Sequence, residues 1–179
     1  MYSDQLTIEI DLPPHAPSIF QQYSRFPKAN INEVRKEHLG IDIIAPEGTP
    51  VLAAASGRVV RSNSEPIYGN TVIIEHGTDS TGKKMQTIYK HLYRRDVKEG
   101  EQVKRGQKIG GLGRTGFLSS GILHVHFEVL QQQENGRFVQ LDPSLYWAGG
   151  VGKVVCFSSS GFWPERPFKI TYPVVCKAR

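Results

Sequence analysis

Leu123-His-Val-His-Phe-Glu-Val129 alternates strictly between apolar and polar side chains, the period of two that belongs to a β-strand with one buried face. His124, His126 and Glu128 fall on one side of such a strand, and Val125, Phe127 and Val129 on the other. Short β-branched runs of the same kind recur upstream, at Val51 to Ala55, Arg58 to Arg61, Thr71 to Glu75, Gln86 to His91 and Gln107 to Gly110. The turn formers Ser56-Gly57, Tyr68-Gly69-Asn70, Thr81-Gly82 and Gly111-Leu-Gly-Arg114 separate them. Helical periodicity is nearly absent, so the expected fold class is all-β. Glu47-Gly-Thr-Pro-Val51 and Glu99-Gly-Glu-Gln-Val103 share the pattern Glu-Gly-x-x-Val, a faint internal echo consistent with two related β-motifs.

The 179 residues, 39% apolar and 22% charged, suit one domain with a proper core and short appendages. Residues 1–16 read as an N-terminal extension, in which the alternating Leu6-Thr-Ile-Glu-Ile-Asp-Leu12 predicts an added edge strand before Pro13, Pro14 and Pro17. Residues 17–147 read as the main domain. Ala148-Gly149-Gly150 marks a hinge, and residues 148–179 read as a C-terminal β extension, two strands around the Ser158-Ser-Ser-Gly161 turn that are free to pack back on the core. Cys156 and Cys176 both lie in it, each after a Val-Val pair. They read either as two buried thiols or as a disulfide, which would contribute about 3 kcal/mol and point to an oxidising compartment.

A formal charge of +5 favours polyanionic surroundings. Lys83-Lys84, Arg94-Arg95 and Lys104-Arg105 are short, scattered pairs without interleaved aromatics, which argues against a nucleic-acid groove. No run approaches the roughly 18 apolar residues of a membrane span, and Met1-Tyr-Ser-Asp-Gln5 lacks the start of a signal peptide.

His38-Leu-Gly-Ile-Asp42 and His124-Val-His126 together supply two imidazoles and a carboxylate suited to one tetrahedral zinc ion, with the fourth position left to water. Residues two apart on a strand project from one face, so one histidine of the second motif can bind metal while its neighbour stands beside it. Positions 38 and 42 would lie roughly 13 Å apart on an extended strand, so a bend at Gly40 is required. His91, in Tyr89-Lys-His-Leu92, brings a further imidazole to a strand end. Hydrolysis of a peptide or amide bond follows from such a centre. No His-Glu-x-x-His helix is present, and two histidines that do not bind the metal could orient water and stabilise an oxyanion instead.

In order along the chain, the motifs are His-x-Gly-x-Asp at 38–42, Gly48-Thr-Pro-Val-x-Ala-Ala, Gly57-Arg-Val, Tyr68-Gly-Asn-x-Val72, Tyr89-Lys-His-Leu92, Gly100-x-x-Val-x-x-Gly106, Thr115-Gly116, His124-x-His-Phe-Glu128 and Asp142-Pro143. The set resembles the lysostaphin-type zinc metallopeptidases, which cut peptide bonds in bacterial peptidoglycan, over roughly residues 17–147. The resemblance implies a duplicated hybrid motif fold, with antiparallel β-sheets forming an open cleft. It also implies zinc held by His38, Asp42 and His126, with His91 and His124 as catalytic residues.

The function expected is a zinc-dependent endopeptidase acting on peptidoglycan stem peptides or crossbridges, outside the cytoplasm. Its partner is the wall peptide, not nucleic acid. The alternative is a wall-binding or hydrolase-activating module of the same fold that does no chemistry, against which the complete ligand set speaks. A phosphohistidine carrier is disfavoured because Asp42 would repel a phosphorylated imidazole. One departure stands out: Phe117-Leu-Ser-Ser-Gly-Ile-Leu123 is longer than the family's usual approach to its second histidine motif and lacks its proline. Asn70 and Tyr89 read as candidate cleft residues, with structural roles equally open to them, and Glu128 as a partner of a ligand imidazole.

Overall fold

The computed structural model describes residues 8–25 and 37–177. Eleven strands follow one another: β1 (Ile19–Gln21), β2 (Ile41–Ile44), β3 (Pro50–Leu52), β4 (Gly57–Glu65), β5 (Gly69–Thr78), β6 (Lys84–Leu92), β7 (Arg94–Arg95), β8 (Gln102–Val103), β9 (Lys108–Gly111), β10 (His124–Gln132) and β11 (Phe138–Leu141). Two single-turn 3-10 segments, Phe117–Ser119 and Pro143–Leu145, are the only helical elements among the described residues. The protein is all-β, as expected, and every strand pairing is antiparallel.

The strands form two open sheets. The larger runs β1-β2-β10-β6-β5-β4-β8, with β11 also on β10, and the smaller runs β3-β9-β7. β10 is the axis of the larger sheet: one edge pairs with β6 along most of its length, while the other takes β2 at its start and β11 at its end. The alternation read from the sequence sorts its two faces. Ile41, Ile43, Val72, Ile74, Tyr89, Val125, Phe127 and Val129 are buried together on one side, packed against Val51, Ile109 and Leu112 of the smaller sheet and the segment after it. Burial of side chains this size contributes about 1.5–3 kcal/mol each, which fixes the register of every strand carrying them. The opposite face stays open to hold polar groups.

Both ends of the chain differ from expectation. Residues 8–12 form no strand; Asp11 makes a single parallel bridge with Lys153, and Leu6 and Thr7 lie outside the described residues. Pro13 and Pro14 lack the N–H groups that would extend the pairing. Gly161 does close a turn on Ser158, but no two-stranded ladder flanks it. Residues 171–175 instead run along the free edge of β3, with bonds from Leu52 N to the Pro173 carbonyl (2.8 Å), Val175 N to the Pro50 carbonyl (3.1 Å) and Thr171 N to the Ala54 carbonyl (2.9 Å). Pro173 interrupts what would otherwise be a fourth strand of that sheet. Phe168, Ile170, Tyr172 and Val174 are buried in the common core, and Cys156 is disulfide-bonded to Cys176.

Candidate active site

β2, β10 and β6 lie side by side, and their registers set Asp42, His126 and Lys90 in one row across the open face. His38 precedes β2 and is held by paired backbone bonds with Ser24. The chain then bends at Gly40, as the spacing of the motif requires. A side chain there is impossible: a Cβ would stand 2.5 Å from the Phe127 carbonyl oxygen and 2.9 Å from Nε2 of His126. The glycine of His-x-Gly-x-Asp therefore supplies the bend and makes room for the second imidazole.

Three donor atoms converge. Nε2 of His38 lies 3.1 Å from Oδ2 of Asp42 and 3.2 Å from Nδ1 of His126, which is 2.7 Å from Oδ1 of Asp42. The edge of a tetrahedron around a zinc ion with ordinary bond lengths is roughly 3.3 Å, so the triangle is of the right size and slightly contracted. With a cation among these atoms, the outer contacts would fix where the protons sit. Nδ1 of His38 faces the Gln22 carbonyl at 2.8 Å and must carry the hydrogen, leaving a lone pair on Nε2. Nε2 of His126 faces the Glu128 carboxylate at 3.2 Å, leaving a lone pair on Nδ1. Two imidazole lone pairs and a carboxylate are thus aimed at one point, an arrangement that a cation satisfies.

His91 and His124 stand beside this triangle, their ring centres 4.8 Å apart, with His91 6.4 Å from His126. His124 directs Nδ1 to the Ile122 carbonyl at 2.9 Å and brings Nε2 to 3.8 Å from Oδ1 of Asp42. His91 reaches the same face by a different route. Regular alternation along β6 would put it with Tyr89 in the core, but its backbone is left-handed, with φ of 64°, and this turns the ring to the open side. Such a conformation costs a non-glycine residue about 1–3 kcal/mol and persists only where its surroundings impose it. Thr115 does much of this. Its N–H donates to the His91 carbonyl (3.3 Å), its own carbonyl accepts from Nδ1 of His91 (2.9 Å), and its hydroxyl donates to the Leu92 carbonyl (2.7 Å). Asn70 adds bonds from Nδ2 to the Leu92 and Tyr93 carbonyls, at 3.0 and 3.1 Å.

The electrostatics follow from burial and pairing. Burial acts to raise the Asp42 pKa, but its close contacts with His126 and His38 outweigh it and hold the carboxyl well below its ordinary range. Burial likewise opposes the charge on Glu128, yet His126 and Lys90 bring its pKa down to about 2. His126 is raised, because the Asp42 and Glu128 carboxylates overcome its desolvation. His91 is lowered to about 4, chiefly by burial, with the His124 and His126 charges adding to it.

All five residues singled out from the sequence, His38, Asp42, His91, His124 and His126, meet on this face. Glu128 contacts the His126 imidazole. Tyr89 does not belong to the cleft: it is fully buried on the opposite side of the sheet, where its hydroxyl accepts from Ala54 N at 2.9 Å. Lys90, which pairs with Glu128, Gln140, whose Nε2 donates to Oε2 of Glu128 at 3.2 Å, and the carbonyl and hydroxyl of Thr115 escaped the sequence reading. The alternation of β6 offered a signal for Lys90, which faces Glu128 across two adjacent strands, and Thr115 stood in the Thr115-Gly116 motif without its contacts being legible; Gln140 acts through a folding contact that no local pattern marks.

An open β-face with a three-donor metal triangle and two further imidazoles defines the class of metal-dependent hydrolases. The model of peptidase family M23 matches residues 36–140, and the chain belongs to that family. It is 44% identical over 106 residues to peptidoglycan DD-endopeptidase ShyC of Vibrio cholerae, a match covering 59% of this chain and 23% of the relative. Among solved structures, it is similar to a zinc-containing peptidase from Vibrio cholerae (TM-score 0.57, 32% identity, 74% of this chain and 38% of that one). It is also similar to the catalytic domain of lysostaphin from Staphylococcus simulans (TM-score 0.55, 29% identity, 71% of this chain and 89% of that one). The chain spans about a quarter or less of the length of the curated relatives it matches most strongly.

Proposed function

We propose that this protein is a zinc endopeptidase that hydrolyses peptide bonds in the stem peptides or crossbridges of bacterial peptidoglycan. The observation that carries the reading is the convergence of Nε2 of His38, Nδ1 of His126 and the Asp42 carboxylate, with His91 and His124 alongside. His38, Asp42 and His126 would hold the zinc, which would supply Lewis-acid chemistry for hydrolysis near neutral pH. With Nδ1 engaged by a carbonyl, His91 and His124 each keep Nε2 to orient water, accept its proton or donate to the developing oxyanion. The low pKa of His91 suits a neutral imidazole able to accept a proton. Glu128, itself anchored by Lys90 and Gln140, fixes the tautomer of His126.

The DD-endopeptidase activity named for the Vibrio relatives favours bonds between D-amino-acid centres within the family's range of wall substrates. Residues 17–147 form the catalytic unit, and the disulfide together with a wall substrate favours work outside the cytoplasm. The test is mass spectrometry of fragments released from purified walls, with and without chelator. New amino termini that disappear with the chelator are expected; wall binding without any cleavage by zinc-loaded protein would leave only a binding module.

A further inference from the structure

Far from the catalytic face, a cavity of about 200 Å³ lies between Arg105 and the C-terminal segment, lined by Trp163, Pro164, Arg166, Pro167 and Lys169. Asn70 stands near the catalytic end of β5, and His76, in the adjoining cavity, lies six residues further along that strand, about 20 Å away at the usual rise. The lining holds three cations and no acidic residue. Arg105 is 7% exposed, and its terminal nitrogens donate to the Ala54 carbonyl (2.6 Å) and the Lys169 carbonyl (3.0 Å). Its Nε is buried without a hydrogen-bond partner. Its carboxylate neighbour, Glu165, keeps Oε2 3.8 Å away and turns Oε1 to the Ser56 hydroxyl at 2.7 Å. A buried guanidinium so weakly compensated calls for an anion. Trp163 gives the cavity a rigid apolar wall: its indole N–H donates to the Ser158 carbonyl (2.8 Å), and Gly161 packs so closely that a Cβ there would meet the ring at 2.6 Å.

We propose that this cavity is an accessory subsite for a free carboxylate on the peptide of the wall polymer, an inference that rests on the peptidoglycan reading above. The volume is below the roughly 300 Å³ at which small-molecule sites begin, so it takes one terminal group of a larger chain. Arg105 donates one N–H from each terminal nitrogen to a carbonyl and its side chain is buried, so the charge a ligand meets directly comes mainly from Arg166 and Lys169. The anion that a wall peptide supplies is a carboxylate, which those two cations pair with while the alkyl part of the residue lies against the indole. Bound at one end of the molecule while the other end cuts, the polymer would stay engaged after cleavage.

The experiment is an NMR titration of the full chain with a soluble disaccharide tetrapeptide from digested walls. It follows the indole N–H signals of Trp163 and of Trp147, which is buried in the core. A saturable shift of the Trp163 signal alone is expected, with affinity falling about tenfold in the double variant Arg166→Glu, Lys169→Glu and again when the peptide carboxylates are amidated. Those two positions spare the Arg105 contacts that tie Ala54 to Lys169, so folding is preserved. No saturable shift, unchanged affinity in the double variant or with the amidated probe, or tighter binding of a polyglycerol phosphate would overturn the proposal. Failure of wild-type protein to cleave walls would sink the enzymatic reading while leaving this titration readable.

Discussion

A single buried histidine with its hydroxyl partners and a group of four histidines sit at opposite ends of β5 and β6, and they are wired differently. At one end, His76 directs Nδ1 to the Ser56 carbonyl (2.8 Å) and Nε2 to the Thr87 hydroxyl (2.7 Å), which lies 3.0 Å from the Tyr89 hydroxyl, itself accepting from Ala54 N. One proton arrangement satisfies the whole chain: Tyr89 donates to Thr87, Thr87 to Nε2 of His76, and Nδ1 of His76 to Ser56. At the other end, His38, His91, His124 and His126 each spend one ring nitrogen on an oxygen at the outer side, and the inner nitrogens of His38 and His126 share a point with a carboxylate. His76 is buried, whereas His38 and His126 are only half-buried. The larger difference is that hydrogen bonding around His76 is complete within the protein, while at the other end inner ring nitrogens are left turned toward one point.

The sharpest way to break this contrast is Asp42→Ala. Zinc content should fall from about one ion per chain to near zero by metal analysis, with wall cleavage lost; retained metal would show that the triangle is not the binding site. His91→Ala should keep the zinc and lower the cleavage rate by about 10²–10⁴-fold, which separates the catalytic imidazoles from those that hold the ion.

At the other cluster, burial first of all lowers the His76 pKa to about 4, so the folded protein keeps it neutral while the unfolded chain takes up a proton below about 6.5. Its contribution is therefore intact above pH 6.5 and is lost on acidification toward 4, at about 1.4 kcal/mol per pH unit and about 3 kcal/mol in all. Denaturant unfolding of chelator-treated protein should show this acid slope reduced by about one proton in His76→Gln, with cleavage at neutral pH in the zinc-loaded variant little changed. The smallest effect is expected for Glu128→Gln, which keeps the shape and removes the charge that sets the His126 tautomer. Zinc affinity measured by competition with a chelator should weaken about 10–100-fold.

Much of this site was legible because its residues lie in short motifs on regular strands. The alternation in residues 123–129 placed His126 and Glu128 on one face and Phe127 in the core, and the 38–42 spacing demanded the bend that Gly40 provides. His91 and Tyr89 show where alternation fails. They are two apart, so strict alternation would put them on one face, yet the left-handed backbone at His91 sends them to opposite sides of the sheet. Nothing local to Tyr89-Lys-His-Leu92 forces that conformation; Thr115 and Asn70 impose it from elsewhere. The C-terminal segment failed for a related reason, since its apolar residues found the free edge of β3 rather than each other.

The amino-acid sequence alone determined the all-β class, the core face of the long strands and the five side chains that meet on the open face, because strand periodicity and motif spacing are local properties. Tertiary contact decided which ring nitrogen of each histidine is left open, the turned backbone of His91 and the pairing of residues 171–175 with β3. Those depend on hydrogen-bond partners distant in the chain, and no pattern of neighbours records which of them will meet.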